Sequence, residues 1–287
     1  MTTPRTLIVG AGITGATVAR LLHDAKRSLQ YAGDVIVWEK NNIAGGRMMA
    51  RSFKKNRHVH VDMGAQYLTN FSSANDDIRA LLMREGKLTR FSEAQVAQDL
   101  TRPPPTNVDH TVANDALGFR AVVEHFLVDS ETQTSREVER IEVVDNGTRV
   151  KVVATDGHEE IVDDLVLTCP IPNLLSILEN SAFETQDSQL EALQAVEYSQ
   201  RIAVALLFDT SIAEEVGRLG WTSKYVAKDE DDIVRYLCWD NLKKQQGTDS
   251  FALLVHTGVP FGVQHMDDKD KNDEILATIL ASVKKLL

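Results

Sequence analysis

Cysteine is scarce in this chain. Cys169 and Cys238 are the only two in 287 residues. That is too few for the disulfide framework of a secreted protein, so a reducing, cytoplasmic setting is expected. Neither cysteine sits at a metal-site spacing. His58 and His60, alternating on an extended stretch, read as exposed and supply too few ligands by themselves. No run approaches the roughly 20 apolar residues of a membrane span, and residues 1–9 lack a signal-peptide pattern. Basic residues are outnumbered, 31 Lys and Arg against 42 Asp and Glu, for a net charge of −11. Such a surface argues against non-specific binding to nucleic acid or anionic lipid. It leaves room for a small anionic ligand held by a few local donors. No internal repeat or low-complexity segment is present, and the charged run Lys228–Asp232 reads as a solvated loop.

The 43% hydrophobic content is ample for a large core. Thr6–Val9 is a short apolar run ending in glycine. Gly15–Asp24 has helical apolar spacing through Val18, Leu21 and Leu22, and Val35–Glu39 is a second β-branched run. Strand, tight turn, helix and strand in that order predict one βαβ unit on a parallel sheet. Farther on, Val59–Met63 reads as extended. Ser72 or Ser73 caps a helix to Glu85 with Ile78, Leu81 and Leu82 inward. Pro103–Pro105 marks a stiff loop, and Asn114 or Asp115 caps a helix to about Leu127. Arg140–Val144, Arg149–Thr155 and Glu160–Val162, separated by Asp-Asn-Gly and Asp-Gly turns, predict an antiparallel meander. Leu165–Thr168 follows as a buried strand and Leu190–Val196 as a short helix. Ile202–Phe208, Arg235–Trp239 and Phe251–His256 read as a second sheet. Asp273–Leu287 reads as an amphipathic helix with Ile275, Leu276, Ile279, Leu280 and Val283 on one side.

Three motifs carry chemistry. In Gly10-Ala11-Gly12-Ile13-Thr14-Gly15 a strand ends and a helix begins. A pyrophosphate needs backbone N–H donors at close range, where the helix dipole favours negative charge. Gly10 permits the turn, Gly12 the approach, and Gly15 the helix–strand contact. Glu39, followed by Lys40, ends the second strand, where a carboxylate can accept from both ribose hydroxyls of an adenosine. The second motif is Gly45-Gly46-Arg47-Met48, in which the glycines let the chain pass close to a dinucleotide and Arg47 can neutralise its diphosphate. The third is Asp62-Met63-Gly64-Ala65-Gln66-Tyr67, whose small Gly64 and Ala65 can lie against a flat ring system. The glycine turn alone suits NAD or FAD equally; the order of all three within the first 70 residues favours FAD.

With these segments the sequence resembles the flavin amine-oxidase superfamily, on GAGITG, WEK, GGRM and DMGAQY. Within it the sequence is similar to the renalases, on Val196–Ala203, Trp239–Lys244 and Val255–Gly262. The resemblance implies an α/β chain: a Rossmann-like FAD-binding domain, residues 1–71 and 135–180, interleaved with an α+β substrate domain on a mixed sheet, residues 72–134 and 181–287. It implies non-covalent FAD, dihydronicotinamide isomers of NAD(P)H as the small-molecule dinucleotide substrate, molecular oxygen as acceptor and hydrogen peroxide as product, in a monomer. His256, Tyr198 and Asn241 are the expected catalytic-pocket residues, with Arg201 beside them. By the same analogy Val138 supplies backbone contacts to adenine, and the strand through Thr168 returns to the FAD domain. Each of these reads also as an ordinary core or bracing residue. An amine oxidase and an inactive binding homologue stay open. The resemblance also implies a C-terminal glycine–aspartate segment closing the flavin site. Nothing after Phe261 matches it, so weak FAD binding is expected.

Overall fold

The computed structural model describes residues 3–69, 76–91, 96–97, 110–182, 186–247 and 249–287. The expected cap at Ser72 or Ser73 and the Pro103–Pro105 loop lie outside the described residues. The chain forms two compact units, Met1–Met48 with Val122–Glu197 and Met49–Ala121 with Tyr198–Leu287. Their boundaries fall at 48, 121 and 197, where the domain divisions were expected at 71, 134 and 180.

In the first unit, β1 (Arg5–Val9), α1 (Ile13–Arg27) and β2 (Asp34–Glu39) build the βαβ turn. A parallel sheet runs in the order Asp164–Leu167, β1, β2, Glu131–Thr134. The central strands bury Leu7, Ile8, Ile36, Val37 and Trp38, as apolar β-branched runs do when both faces of a sheet are covered. The helix departs from its expected face. Its buried residues are Gly15, Ala16 and Ala19, and Leu21 is 63% exposed. Small residues on that face let the helix axis approach the sheet more closely than leucines would. The strand Asp164–Leu167, expected to be buried, takes a sheet edge and is half-buried. The meander forms as Val138–Val144, Arg149–Ala154 and Glu159–Val162, antiparallel throughout. Asn146, Gly147 and Gly157 take the positive φ its turns require. Ile141, Val152 and Val162 join Leu7, Val9 and Ile36 in one core.

The second unit is built on a five-stranded sheet in the order Ala203–Phe208, Phe251–Thr257, Val234–Trp239, Ser223–Tyr225, Val96–Ala97. Its last pair is parallel and the rest antiparallel, so the sheet is mixed. Alternation splits its residues between two cores. Leu237, Trp239, Leu253 and Val255 pack with Ile275, Ile279 and Val283 of the helix Asn272–Leu286. Tyr236, Cys238, Ala252 and Leu254 pack with Val61 of the strand Asn56–Asp62. Leu276 and Leu280, expected on the buried side of that helix, are exposed, and its buried residues are Ile275, Ile279, Ser282 and Val283. In the helix Asp76–Arg84, Leu82 is buried while Ile78 is 39% exposed. The helix expected to follow Asn114 or Asp115 begins at Arg120 instead. Asp115 accepts from the Leu117 N–H in a turn, and Gly118 has φ +63°, which no helical residue adopts.

Candidate functional site

The glycine loop of the first unit is shaped by three different constraints. Gly10 has φ +105° and donates its N–H to Trp38 O at 2.7 Å. Gly15 has no room for a side chain, since a Cβ there would stand 1.9 Å from Gly10 O. Gly12 is under neither constraint. Its φ is −81°, and the nearest atom to an added Cβ is Gly46 Cα at 3.9 Å, an ordinary contact. The protein itself therefore does not require glycine at position 12. A Cβ there would fill the space in front of the helix N-terminus, where α1 has no side-chain cap and no acidic residue in its first turn. Its first internal bond is Ala16 N–H to Gly12 O, so among the described residues the earlier N–H groups have no acceptor and are open to an outside one. Ile13 and Thr14, the first two helical residues, are exposed.

Around this loop the other expected residues take distinct positions. Glu39 is buried, and its Oε2 accepts from Ala11 N–H at 2.9 Å while Oε1 accepts from the backbone and side chain of Asn41. It braces the loop and retains lone pairs for a hydroxyl donor. Gly45 donates its N–H to Ala11 O, and Gly46, φ +52°, lies against Gly12. Thus GGRM is folded onto GAGITG. Met48 is buried, whereas Arg47 and Lys40 are exposed. Thr168 is used internally, donating its hydroxyl to Val9 O and Gly10 O at 2.9 and 3.0 Å. Val138 is buried in the core of the unit.

In the second unit, Gly64 to Tyr67 form a turn after the Asn56–Asp62 strand. Gly64, Ala65 and Tyr67 are half-buried, and burial raises the Tyr67 phenol pKa. Gln66 is buried and donates to Asp62 O and Gly64 O at 2.6 and 3.1 Å. His256, next to last in its strand, places its ring 5.9 Å from that of Tyr236 and donates from Nε2 to Met63 O at 2.8 Å. Burial depresses its pKa, Lys243 and Arg201 push it further down, and the bond to Met63 only partly opposes them. His256 is therefore neutral at pH 7, with Nδ1 left as an acceptor. The sign for stability follows. The unfolded chain takes up this proton first, so stability is lost as pH falls below about 6.5. Urea midpoints are expected to decline below that pH in the wild type and to decline less in His256→Gln.

Asn241 is buried and accepts from Ala252 N–H at 3.1 Å, a bracing position. Arg201 donates to Thr257 O at 3.0 Å, and Gly262 packs so closely on Gln200 that a Cβ would meet its carbonyl at 2.3 Å. The runs around Arg201 and Val259–Gly262 thus pack on each other. Tyr198 is partly exposed. His58 is exposed and His60 half-buried.

One group of charged residues was not anticipated. Asp62, Asp240, Lys243 and Lys244 are all fully buried. Lys243 Nζ lies 2.9 Å from Asp240 Oδ1, 3.0 Å from Gln66 Oε1 and 3.4 Å from Asp62 Oδ2. Lys244 Nζ lies 2.5 Å from Asp240 Oδ2, 3.0 Å from His60 O and 3.4 Å from Asp62 Oδ2. Two ammonium groups face two carboxylates, so the quartet is neutral. Burial opposes ionisation of Asp240, but the two lysines outweigh it and lower its pKa. Asp62, similarly buried but farther from both ammonium groups, has its pKa raised. The i, i+3 and i, i+4 spacing of Asp240 to Lys243 and Lys244 was the one local signal available.

Known proteins match this arrangement. A family model described as NAD(P)-binding Rossmann-like domain matches residues 8–84, and one described as flavin containing amine oxidoreductase matches residues 95–287. Mouse (Mus musculus) renalase is 27% identical over 274 residues, covering 92% of this chain and 74% of that protein. Among solved structures, putrescine oxidase bound to putrescine is similar with a TM-score of 0.69 at 13% identity, covering 99% of this chain and 81% of that one. A CLA-producing fatty acid isomerase from P. acnes is similar with a TM-score of 0.62 at 14% identity, covering 98% and 82%. At such identities these structures show the fold. With its Rossmann-like dinucleotide-binding domain and a family match running through most of its length, the chain belongs to the flavin-containing amine oxidoreductases.

Proposed function

We propose that this chain is an FAD-dependent oxidoreductase of the renalase type. In this reading it oxidises dihydronicotinamide isomers of NAD(P)H to NAD(P)+ and passes the hydride's electron pair and proton to molecular oxygen, which takes one further proton from solvent and leaves as hydrogen peroxide. The observation that carries FAD binding is Gly12, a glycine that neither φ nor packing requires, set before an uncapped helix N-terminus. FAD, when bound, supplies the two-electron acceptor. The chain's residues would bind and orient. The open N–H groups of the first turn of α1 take the diphosphate, exposed Arg47 lends positive charge, and the remaining Glu39 lone pairs take ribose hydroxyls.

Binding is proposed to be non-covalent. The Cys238 thiol is fully buried and its pKa is pushed up to about 12, and burial raises that of Cys169 as well, so neither is a thiolate nucleophile at neutral pH. On the substrate side, a dihydropyridine that is already electron-rich gives up hydride without a strong base. It needs orientation and a suitable dipole. His256 fits that requirement, being neutral, with Nε2 committed to Met63 O and Nδ1 able to accept from a carboxamide. Tyr198 is proposed to contact substrate, whereas Asn241 acts by bracing the strand at Ala252.

The test is anaerobic mixing of flavin-loaded protein with isomeric NADH preparations, with ordinary NADH and with amines, following the flavin absorbance. Rapid bleaching by the isomers alone is the expected result. Bleaching by amines would replace this reading with amine oxidation, and bound flavin that nothing bleaches would replace it with a binding role.

A further inference from the structure

The buried quartet is costly to build. Moving four charges out of water carries a desolvation penalty that their mutual attraction only partly returns. Apolar residues of similar size would fill the same space, so its geometry calls for an account. Lys243 provides one. An ammonium group can only donate, so Lys243 Nζ, 3.0 Å from Gln66, selects which end of that amide faces it. Oε1 must point toward Lys243, and Nε2 must then point the other way. Both Nε2 hydrogens are thereby aimed at Asp62 O and Gly64 O. A flipped amide would set its oxygen against two carbonyls and its NH2 against the ammonium. With His256 on Met63 O, three successive carbonyls of the turn accept from buried or half-buried side chains. Among the described residues, the N–H groups of Gly64 and Ala65 have no acceptor.

We infer that Lys243 is a positioning residue: by orienting the Gln66 amide it fixes the carbonyl of Gly64 and so presents the Ala65 N–H of the same planar peptide to an electron-rich acceptor, while His256 on Met63 O holds the Gly64 N–H beside it. This rests on the reading above that the chain binds FAD, the flat ring expected against Gly64 and Ala65 then being the flavin. Donors held in place before binding cost no reorganisation when the acceptor arrives. Asp240 and Asp62 keep Lys243 charged and in register, Lys244 balances them, and Gln66 passes the constraint to the turn.

A double-mutant cycle tests this without requiring flavin. Gln66→Leu, Lys243→Met and the double variant are prepared with 15N-alanine, and the Ala65 signal is assigned by its loss in Ala65→Gly. If Lys243 acts through Gln66, all three variants move the Ala65 signal to the same new position, and the second change adds nothing to the first. Should Lys243→Met not fold, the charge-balanced Asp62→Asn/Lys243→Met pair takes its place. Ala65 unmoved by loss of Lys243, or shifts that add, would overturn the inference. A second readout uses flavin-loaded protein. Gln66→Leu is expected to raise the FAD dissociation constant about tenfold and to change the flavin midpoint potential. An unchanged potential in a variant that still binds FAD also counts against it. If the wild-type chain binds no FAD, the flavin reading fails while the alanine-label experiment still decides the role of Lys243.

Discussion

A Gly12→Ala chain is expected to fold as the wild type does and to lose its hold on FAD. The backbone at position 12 is already in a region open to alanine, and the added methyl meets only Gly46 Cα at 3.9 Å. The cost to stability should stay within about 1 kcal/mol, the usual range for an N-cap change of this kind. The same methyl occupies the approach to the first N–H groups of α1. Displacing a diphosphate from charge-assisted bonds there removes about 1.5–3 kcal/mol, or about ten- to hundredfold in dissociation constant. Gly15→Ala behaves differently. Its Cβ would stand 1.9 Å from Gly10 O, so strand and helix must separate, with a loss of about 1–3 kcal/mol of stability beside the loss of binding. Thermal melts with and without FAD distinguish the two. Wild-type FAD affinity in Gly12→Ala would remove the main support for a dinucleotide at this loop.

The contrast among these glycines also shows what a sequence can disclose. A glycine turn between an apolar strand and a helix is a local pattern, and Gly10, Gly12 and Gly15 occupy the places that pattern implies. The meander is local as well, with its turns written as Asp-Asn-Gly and Asp-Gly. Which helix face meets a sheet is not a local property. Leu21 fits the apolar spacing of α1, yet the sheet accepts only Gly15, Ala16 and Ala19, because close approach outweighs side-chain volume. The roles of single polar residues were hidden for a similar reason. Thr168, expected beside the cofactor, holds Val9 and Gly10 from 159 and 158 positions away, a role no motif announces. His256 was legible as a residue of interest, but its partner Met63 lies 193 positions off and no motif connects them. Lys243 and Lys244, in a chain with many surface lysines, gave no sign of burial. Their carboxylate partner Asp62 is 181 positions from Lys243, and only the fold brings the two together.

The same remoteness makes the quartet the place where one atom's change should cost most. Asp240→Asn removes the charge that both lysines approach most closely, leaving two buried ammonium groups with Asp62 alone. Breaking a buried pair typically costs about 3–5 kcal/mol, a large part of the stability of an ordinary domain. Asp62→Asn should cost less. Burial already raises the Asp62 pKa, so its ionised form is the less favoured of the two carboxylates, and an asparagine can still accept from Phe119 N–H. Removing one charge of each sign, as in Asp240→Asn/Lys244→Met, should recover part of the loss by restoring neutrality. The pH dependence separates the two aspartates further. Asp240, with a lowered pKa, contributes stability that is complete above its ordinary value of 3.8 and is lost as pH falls through its lower folded value. Asp62, with a raised pKa, does the reverse: the folded chain gains its proton first, and stability drops as pH rises from 3.8 through the raised value. Urea titrations at neutral pH and near pH 4 are expected to show the largest deficit for Asp240→Asn at neutral pH and a smaller neutral-pH deficit for Asp62→Asn that grows in acid, where the wild type regains the stability its ionised Asp62 forgoes. An Asp240→Asn chain as stable as the wild type, or one more stable than Asp62→Asn, would mean that the quartet is not held together by the charges its geometry brings into contact.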